Sequence, residues 1–155
     1  MLDAELSAFL AAGNSVVVAT RDAALDPHAT RACAVRARGQ DHIVVLLPKA
    51  TSAQAIADLR DNGELAVCIS SPRDFRSVQL KGRSVDIADC SADDIELCRE
   101  QFRSFSAVVA QFGYSRQQTR NLWLFENWRV EARVTSAYAQ TPGPGAGAPL
   151  GATRG

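Results

Sequence analysis

The sequence lacks net charge: 17 Lys and Arg balance 17 Asp and Glu over 155 residues. Such a balance argues against a bulk electrostatic grip on nucleic acid or on an acidic membrane, although local patches survive cancellation. Also missing is any apolar run near the roughly 18 residues that a bilayer-spanning helix needs. Residues 1–5, MLDAE, carry acid where a signal peptide carries Lys or Arg, which argues against secretion. Histidine is scarce, with His28 and His42 alone, and the four cysteines Cys33, Cys68, Cys90 and Cys98 show no CxxC spacing. A tetrahedral zinc centre wants two close ligand pairs, so no metal is expected. Free cysteine in an apolar run behaves as a small buried hydrophobe, and a reducing, cytoplasmic setting follows as the default. The Walker loop, the dinucleotide GxGxxG and the GxSxG elbow are absent. The glycine-rich GPGAG at 143–147 follows no helix-opening strand, and proline there removes a backbone donor.

What is present fits one globular domain, with 46% hydrophobic and 22% charged residues. A chain of this length buries about 70% of its unfolded surface and needs no covalent staple. Leu6, Phe9 and Leu10 recur at helical spacing in residues 3–12, with Asp3 as N-cap and Gly13 as stop. The β-branched run at 15–20 predicts a strand, a turn follows through Pro27, and a second strand is expected over residues 28–38. A third strand spans 42–47. Connections this short make the strands antiparallel. Thr51 or Ser52 caps a helix reaching about Asp61, with Asn62 and Gly63 as its stop. Strands are then expected at 65–70 and 75–88, the second bent or bulged at Gly82.

Ser91 caps a longer helix in which Ile95, Cys98, Phe102, Phe105, Val109 and Phe112 form a stripe read as core or dimer contact. A polar stretch, 114–121, precedes a last strand at 122–138, on which Trp123 and Trp128 point to opposite faces. The reading is therefore mainly β: a six-stranded antiparallel barrel over residues 1–140 with two to three peripheral helices. Residues 141–155 hold 8 Gly or Pro and form an extended or disordered tail.

The chemistry concentrates in two strands. Alternation along 28–38 sets Arg31 on one face with Ala29, Cys33, Val35 and Ala37, and sets Arg36 on the other. A guanidinium among apolar neighbours needs an anion, either a ligand phosphate or a structural aspartate. Along 75–88, Ser77, Gln79, Lys81 and Arg83 share one parity. Cations and amides projecting from apolar strands suit a phosphate and a polar ring held in a cleft.

The segment PHATRACAVR at 27–36, the Ser52-capped helix ending LRDN at 59–62, and FRSVQLKG at 75–82 resemble the pyridoxamine 5′-phosphate oxidase-like superfamily. The similarity runs over most of residues 5–140 in element order. It implies a split β-barrel that binds flavin mononucleotide (FMN) between the subunits of a homodimer. The cofactor-binding residues it implies are Arg31, Ala32, Cys33, Arg36, Lys49, Ser52, Gln54, Ser77, Val78 and Gln79. Arg31 and Arg36 match the family's phosphate pair and can both serve only across a bulge or strong twist. The loop KATSAQ at 49–54 matches the loop that opens the following helix, where Ser52 suits a phosphate.

Ser77 to Gln79 of the partner subunit would meet the isoalloxazine ring. Ala53 and Gln54 stand where the oxidase proper has a lysine, which thins the implied phosphate grip unless Lys49 substitutes. Its C-terminal Arg-x-His motif is also missing; residues 126–130 read ENWRV, which argues against pyridoxine phosphate as substrate. The tail QTPGPGAG at 140–147 is similar to the end of a branch distinct from the oxidase proper. The expectation is a flavin-dependent oxidoreductase acting on a small molecule, with no catalytic residue assigned. A non-catalytic flavin-storage protein and a haem- or deazaflavin-binding relative are the alternatives.

Overall fold

The computed structural model describes residues 2–151. Helix α1 (Ala4–Ala11) leads into β1 (Ser15–Arg21), β2 (Pro27–Ala32), β3 (Ala34–Arg38) and β4 (His42–Pro48). Then follow α2 (Ala53–Asp61), β5 (Glu64–Ser70), β6 (Ser77–Asp89), α3 (Ala92–Ala110), α4 (Arg116–Asn121) and β7 (Asn127–Ala139). The strands form one antiparallel sheet in the order β2-β1-β5-β6-β7-β4-β3. No described helix is long and apolar enough to cross a membrane.

Seven strands are present rather than the six expected, because residues 28–38 do not make one strand. β1 begins at Ser15, so the pairing open to β2 ends at Val16↔Ala32. At Cys33 the chain leaves β1, its N–H donates to the Leu46 carbonyl at 2.9 Å, and Ala34 opens a new ladder with β4. One residue thus joins the two edge strands, which forces the sheet to curl on itself. Ala32, Cys33 and Ala34 are small and buried, so the edges can approach closely. The break also resets the alternation. Val35 packs in the same cluster as Ala32, while Arg36 falls on the side of Arg31 and Ala34, against the opposite faces expected for a continuous strand.

Two apolar clusters follow. Val18, Val35, Ile43, Val45, Leu47, Val67, Leu80 and Val130 fill the curl, closed by Leu6 and Leu10 of α1 and by Ile56 and Leu59 of α2. Outside the β3–β4 edge, Ala34, Val44 and Leu46 pack beneath Cys98, Phe102 and Phe105 of α3, with Trp123. β4 is covered on both faces, which explains its unbroken apolar run. The expected stripe on α3 is core at Cys98, Phe102 and Phe105, whereas Ile95 and Phe112 are exposed. The Ser91 cap is present as a full capping box with Asp94.

Gly82 lies at a register shift between β6 and β7, and a Cβ there would fall 2.2 Å from the Arg133 carbonyl oxygen. The close strand contact therefore needs glycine. The polar stretch before the last strand contains α4, and β7 begins at Asn127 rather than at 122. Trp123 accordingly sits in the lead-in loop, packed on Phe102 and Phe105 with centroids 5.8 and 5.3 Å away. Trp128 stays on β7 beneath the Lys49 ammonium, 4.4 Å from the ring centroid. Residues beyond 140 turn back along β7, with the Leu150 N–H donating to Ala137 at 2.8 Å and Pro149 bridging Tyr138.

Candidate functional site

Arg31 is the residue around which a site can be built. It lies in β2, on the face away from the barrel core, opposite Val17. Its guanidinium carbon stands 4.9 Å from the Phe105 centroid and 5.2 Å from that of Trp123, within cation–π range. Nε and Nη2 are buried and have no hydrogen-bond partner among the described residues. Burial pulls the group below its ordinary pKa, yet an arginine stays protonated, so donors of a permanent cation stand unmatched. Of the two anions weighed from sequence, the structural aspartate is not found among the described residues. Phe105 also lines a cavity of about 400 Å³ with Val109, Tyr114, Gln118, Thr119 and Leu122.

Arg36 reaches the same side of the sheet, but its Nη2 donates to Asp94 Oδ1 at 2.9 Å. Asp94 is fully buried, caps α3 through Ser91, and also approaches Arg129 Nε at 3.5 Å. Arg36 therefore has its counter-ion within the chain. The remaining matched residues are similarly engaged. Lys49 pairs with Asp89, and Ser52 Oγ donates to the Pro48 carbonyl at 2.5 Å. Gln54 Nε2 donates to Asp58 Oδ1 at 2.9 Å. Thr30 Oγ1 reaches the Thr51 carbonyl from the face of β2 opposite Arg31, so the α2 loop and Arg31 lie on different sides of that strand. Cys33 donates to the Leu124 carbonyl at 3.0 Å, and the neighbouring Cys98 thiol together with burial raises the Cys33 pKa above the ordinary value. Ala32 and Val78 point into the core.

Register brings together what spacing could not. Arg31 faces Val17, Val17 faces Cys68, Cys68 faces Gln79, and Gln79 faces Tyr138, a row across five strands on one sheet face. The next row, Ala29, Ala19, Ala66, Lys81 and Ser136, is composed mostly of small residues. This face is open: Val17 is 39% exposed, and Ala19 and Ala29 are exposed. Ser77 lies at its margin, its hydroxyl donating to Ser70 Oγ at 2.8 Å. Arg21 and Arg83 close the far end around Glu64, at 2.8 and 2.9 Å. Val17, Cys68 and Tyr138 carry no local signal. Only the antiparallel register sets them beside Arg31 and Gln79.

The fold as a whole has counterparts among solved structures. A tagged form of HupZ from Group A Streptococcus superposes with a TM-score of 0.59 at 15% identity, over 95% of this chain and 100% of that one. An FMN-binding protein from Syntrophomonas wolfei gives 0.54 at 12% identity, over 87% and 84% of the chains. A Clostridium acetobutylicum protein related to general stress protein 26, of the pyridoxinephosphate oxidase family, gives 0.52 at 11% identity, over 87% and 84%. No family sequence model and no curated protein sequence matches. The chain has the fold of the pyridoxamine 5′-phosphate oxidase-like, FMN-binding proteins.

Proposed function

We propose that this protein binds FMN at the edge of the open sheet face, acts as a homodimer joined across that face, and is a flavin-dependent oxidoreductase for a small molecule. The observation that carries the reading is Arg31, whose buried Nε and Nη2 lack a partner and suit a phosphate. Phe105 and Trp123 hold its guanidinium in place, so little side-chain freedom is lost when the anion arrives. Bound FMN would supply the redox chemistry, and the protein orientation and electrostatics. Half-buried Gln79, beside Cys68 and Tyr138, presents an amide able to hydrogen-bond a ring edge from the partner subunit.

Replacing Arg31 by Ala should weaken FMN binding by about tenfold to a hundredfold, the range for charge-assisted hydrogen bonds. Fluorescence titration of FMN checks this, and unchanged affinity in a folded variant would overturn the assignment. The second reading is a flavin-holding protein without turnover. It is favoured because residues 126–130, ENWRV, stand where the oxidase proper carries its Arg-x-His substrate motif. Bleaching of the bound flavin by a reduced nicotinamide cofactor under anaerobic conditions supports the enzyme; a flavin inert to such donors supports storage.

A further inference from the structure

A second cluster of cations, which does not include Arg31, lines a cavity between α3 and α4. Arg99, Arg103, Arg116 and Arg120 line one cavity of about 310 Å³, together with Phe102 and Phe125. Arg99 and Arg103 are four residues apart on α3, and Arg116 and Arg120 are four apart on α4. Each helix thus stacks two like charges on one face, an arrangement that destabilises an isolated helix. Glu96 relieves part of this on α3, at 3.5 Å from Arg99 and 2.6 Å from Arg103. Among the described residues it is the carboxylate that pairs with this cluster, while Arg116 stands over the Phe102 ring at 5.6 Å.

The cleft continues past Arg103 and Arg116 to Ser106, Ala107 and Ala110, a further volume of about 300 Å³. Ser106 is 8% exposed, and its buried Oγ has no hydrogen-bond partner among the described residues. An unmatched hydroxyl in a cleft lined by guanidiniums asks for an acceptor with several oxygens. Four forked cations around one cavity suit linked phosphates, each able to take bidentate contacts. The half-buried Phe125 ring offers an apolar wall for a flat base. We infer that the α3–α4 cleft binds a nucleoside diphosphate, with its phosphates on the four arginines and its base against Phe125. The chain's zero net charge conceals this patch.

Isothermal titration of the full chain with ADP, pyrophosphate and adenosine tests the site. The expected result is saturable binding of ADP and pyrophosphate in a single-site isotherm, none of adenosine, and weakening with added salt. The Arg116→Gln/Arg120→Gln variant should weaken ADP binding by about tenfold or more, while Arg31→Gln leaves it unchanged. Ser106→Ala, which removes only the unpartnered hydroxyl, should fold normally and bind ADP more weakly than the parent. Three outcomes would overturn the inference. One is the absence of saturable ADP binding by folded protein. Another is loss on Arg31→Gln with Arg116→Gln/Arg120→Gln unaffected, which would move the anion to the flavin site. The third is a poly-glutamate peptide binding as tightly as ADP, which would make the cleft a protein-docking surface.

Discussion

Arg31 and Arg36 lie five residues apart and carry the same charge, yet a single aspartate separates their roles. Asp94 sits 58 residues beyond Arg36, on another element, and neutralises it; among the described residues nothing neutralises Arg31. The need of Arg31 for an anion was legible in its apolar surroundings, but the partner of Arg36 was not, because long-range pairing leaves no local trace. His28 shows the same limit. Its Nδ1 lies 2.9 Å from Asp58 Oδ2, and Thr20 Oγ1 donates to the same oxygen at 2.6 Å. Burial alone would raise the Asp58 pKa, but hydrogen bonds from Thr20, Gln54 and His28 outweigh it and hold the carboxyl below its ordinary range.

The unfolded chain therefore takes up this proton more readily than the folded one. The contribution of Asp58 is complete above the ordinary carboxylate pKa and fades as pH falls below about 4 through the depressed folded value. Asp58→Asn should cost about 1–3 kcal/mol at neutral pH and lose less stability on acidification than the parent. Urea unfolding followed from neutral pH into the acid range on both sides of about pH 4 measures both slopes.

At the scale of elements, the strand starts and stops came from turn residues, and the sheet came from pairing. The Gly82 bend and the Ser91 cap followed from spacing and capping chemistry; α2 forms where it was expected, but the Ser52 hydroxyl turns back to the Pro48 carbonyl and makes no capping hydrogen bond. The break at Cys33 did not, since ACA carries no turn residue and the chain changes partners only because β1 has ended. The exposed edge that this leaves on β3 is met from α3. Gln101, 2% exposed, accepts the Val35 N–H at 3.1 Å and donates to the Val35 carbonyl at 2.6 Å. One amide thus completes the backbone hydrogen bonding of an edge residue and fastens α3 to the barrel. Gln101→Leu keeps the volume but strands both backbone groups. A loss of about 2–4 kcal/mol in chemical unfolding is expected. A loss under about 0.5 kcal/mol would show that solvent reaches Val35 in place of the amide.

Over the whole molecule, α1 and α2 close the barrel and α3 covers the β3–β4 edge, leaving the outer face of β1, β5 and β6 uncovered. In the proposed dimer that face is the seam, and the flavin site lies where its edge meets Arg31. A charge at its centre should then abolish two properties together. Ala66→Glu is expected to sediment as a monomer and to lose FMN affinity in parallel, while still unfolding in one cooperative transition at a lower temperature than the dimer. A variant that remains dimeric with full flavin content would place the seam elsewhere.

By itself the sequence determined most of the helices and strands, the antiparallel pairing of consecutive strands and the presence of a half-buried cation, because helix periodicity, β-branched runs, caps and turns act over a few residues. Tertiary structure decided the seventh strand, the reset of side-chain faces at Cys33, the neutralisation of Arg36 and the row from Arg31 to Tyr138. Each depends on which strand lies beside which. That choice is made by closing a sheet around a shared core, where pairing partners tens of residues apart are selected together.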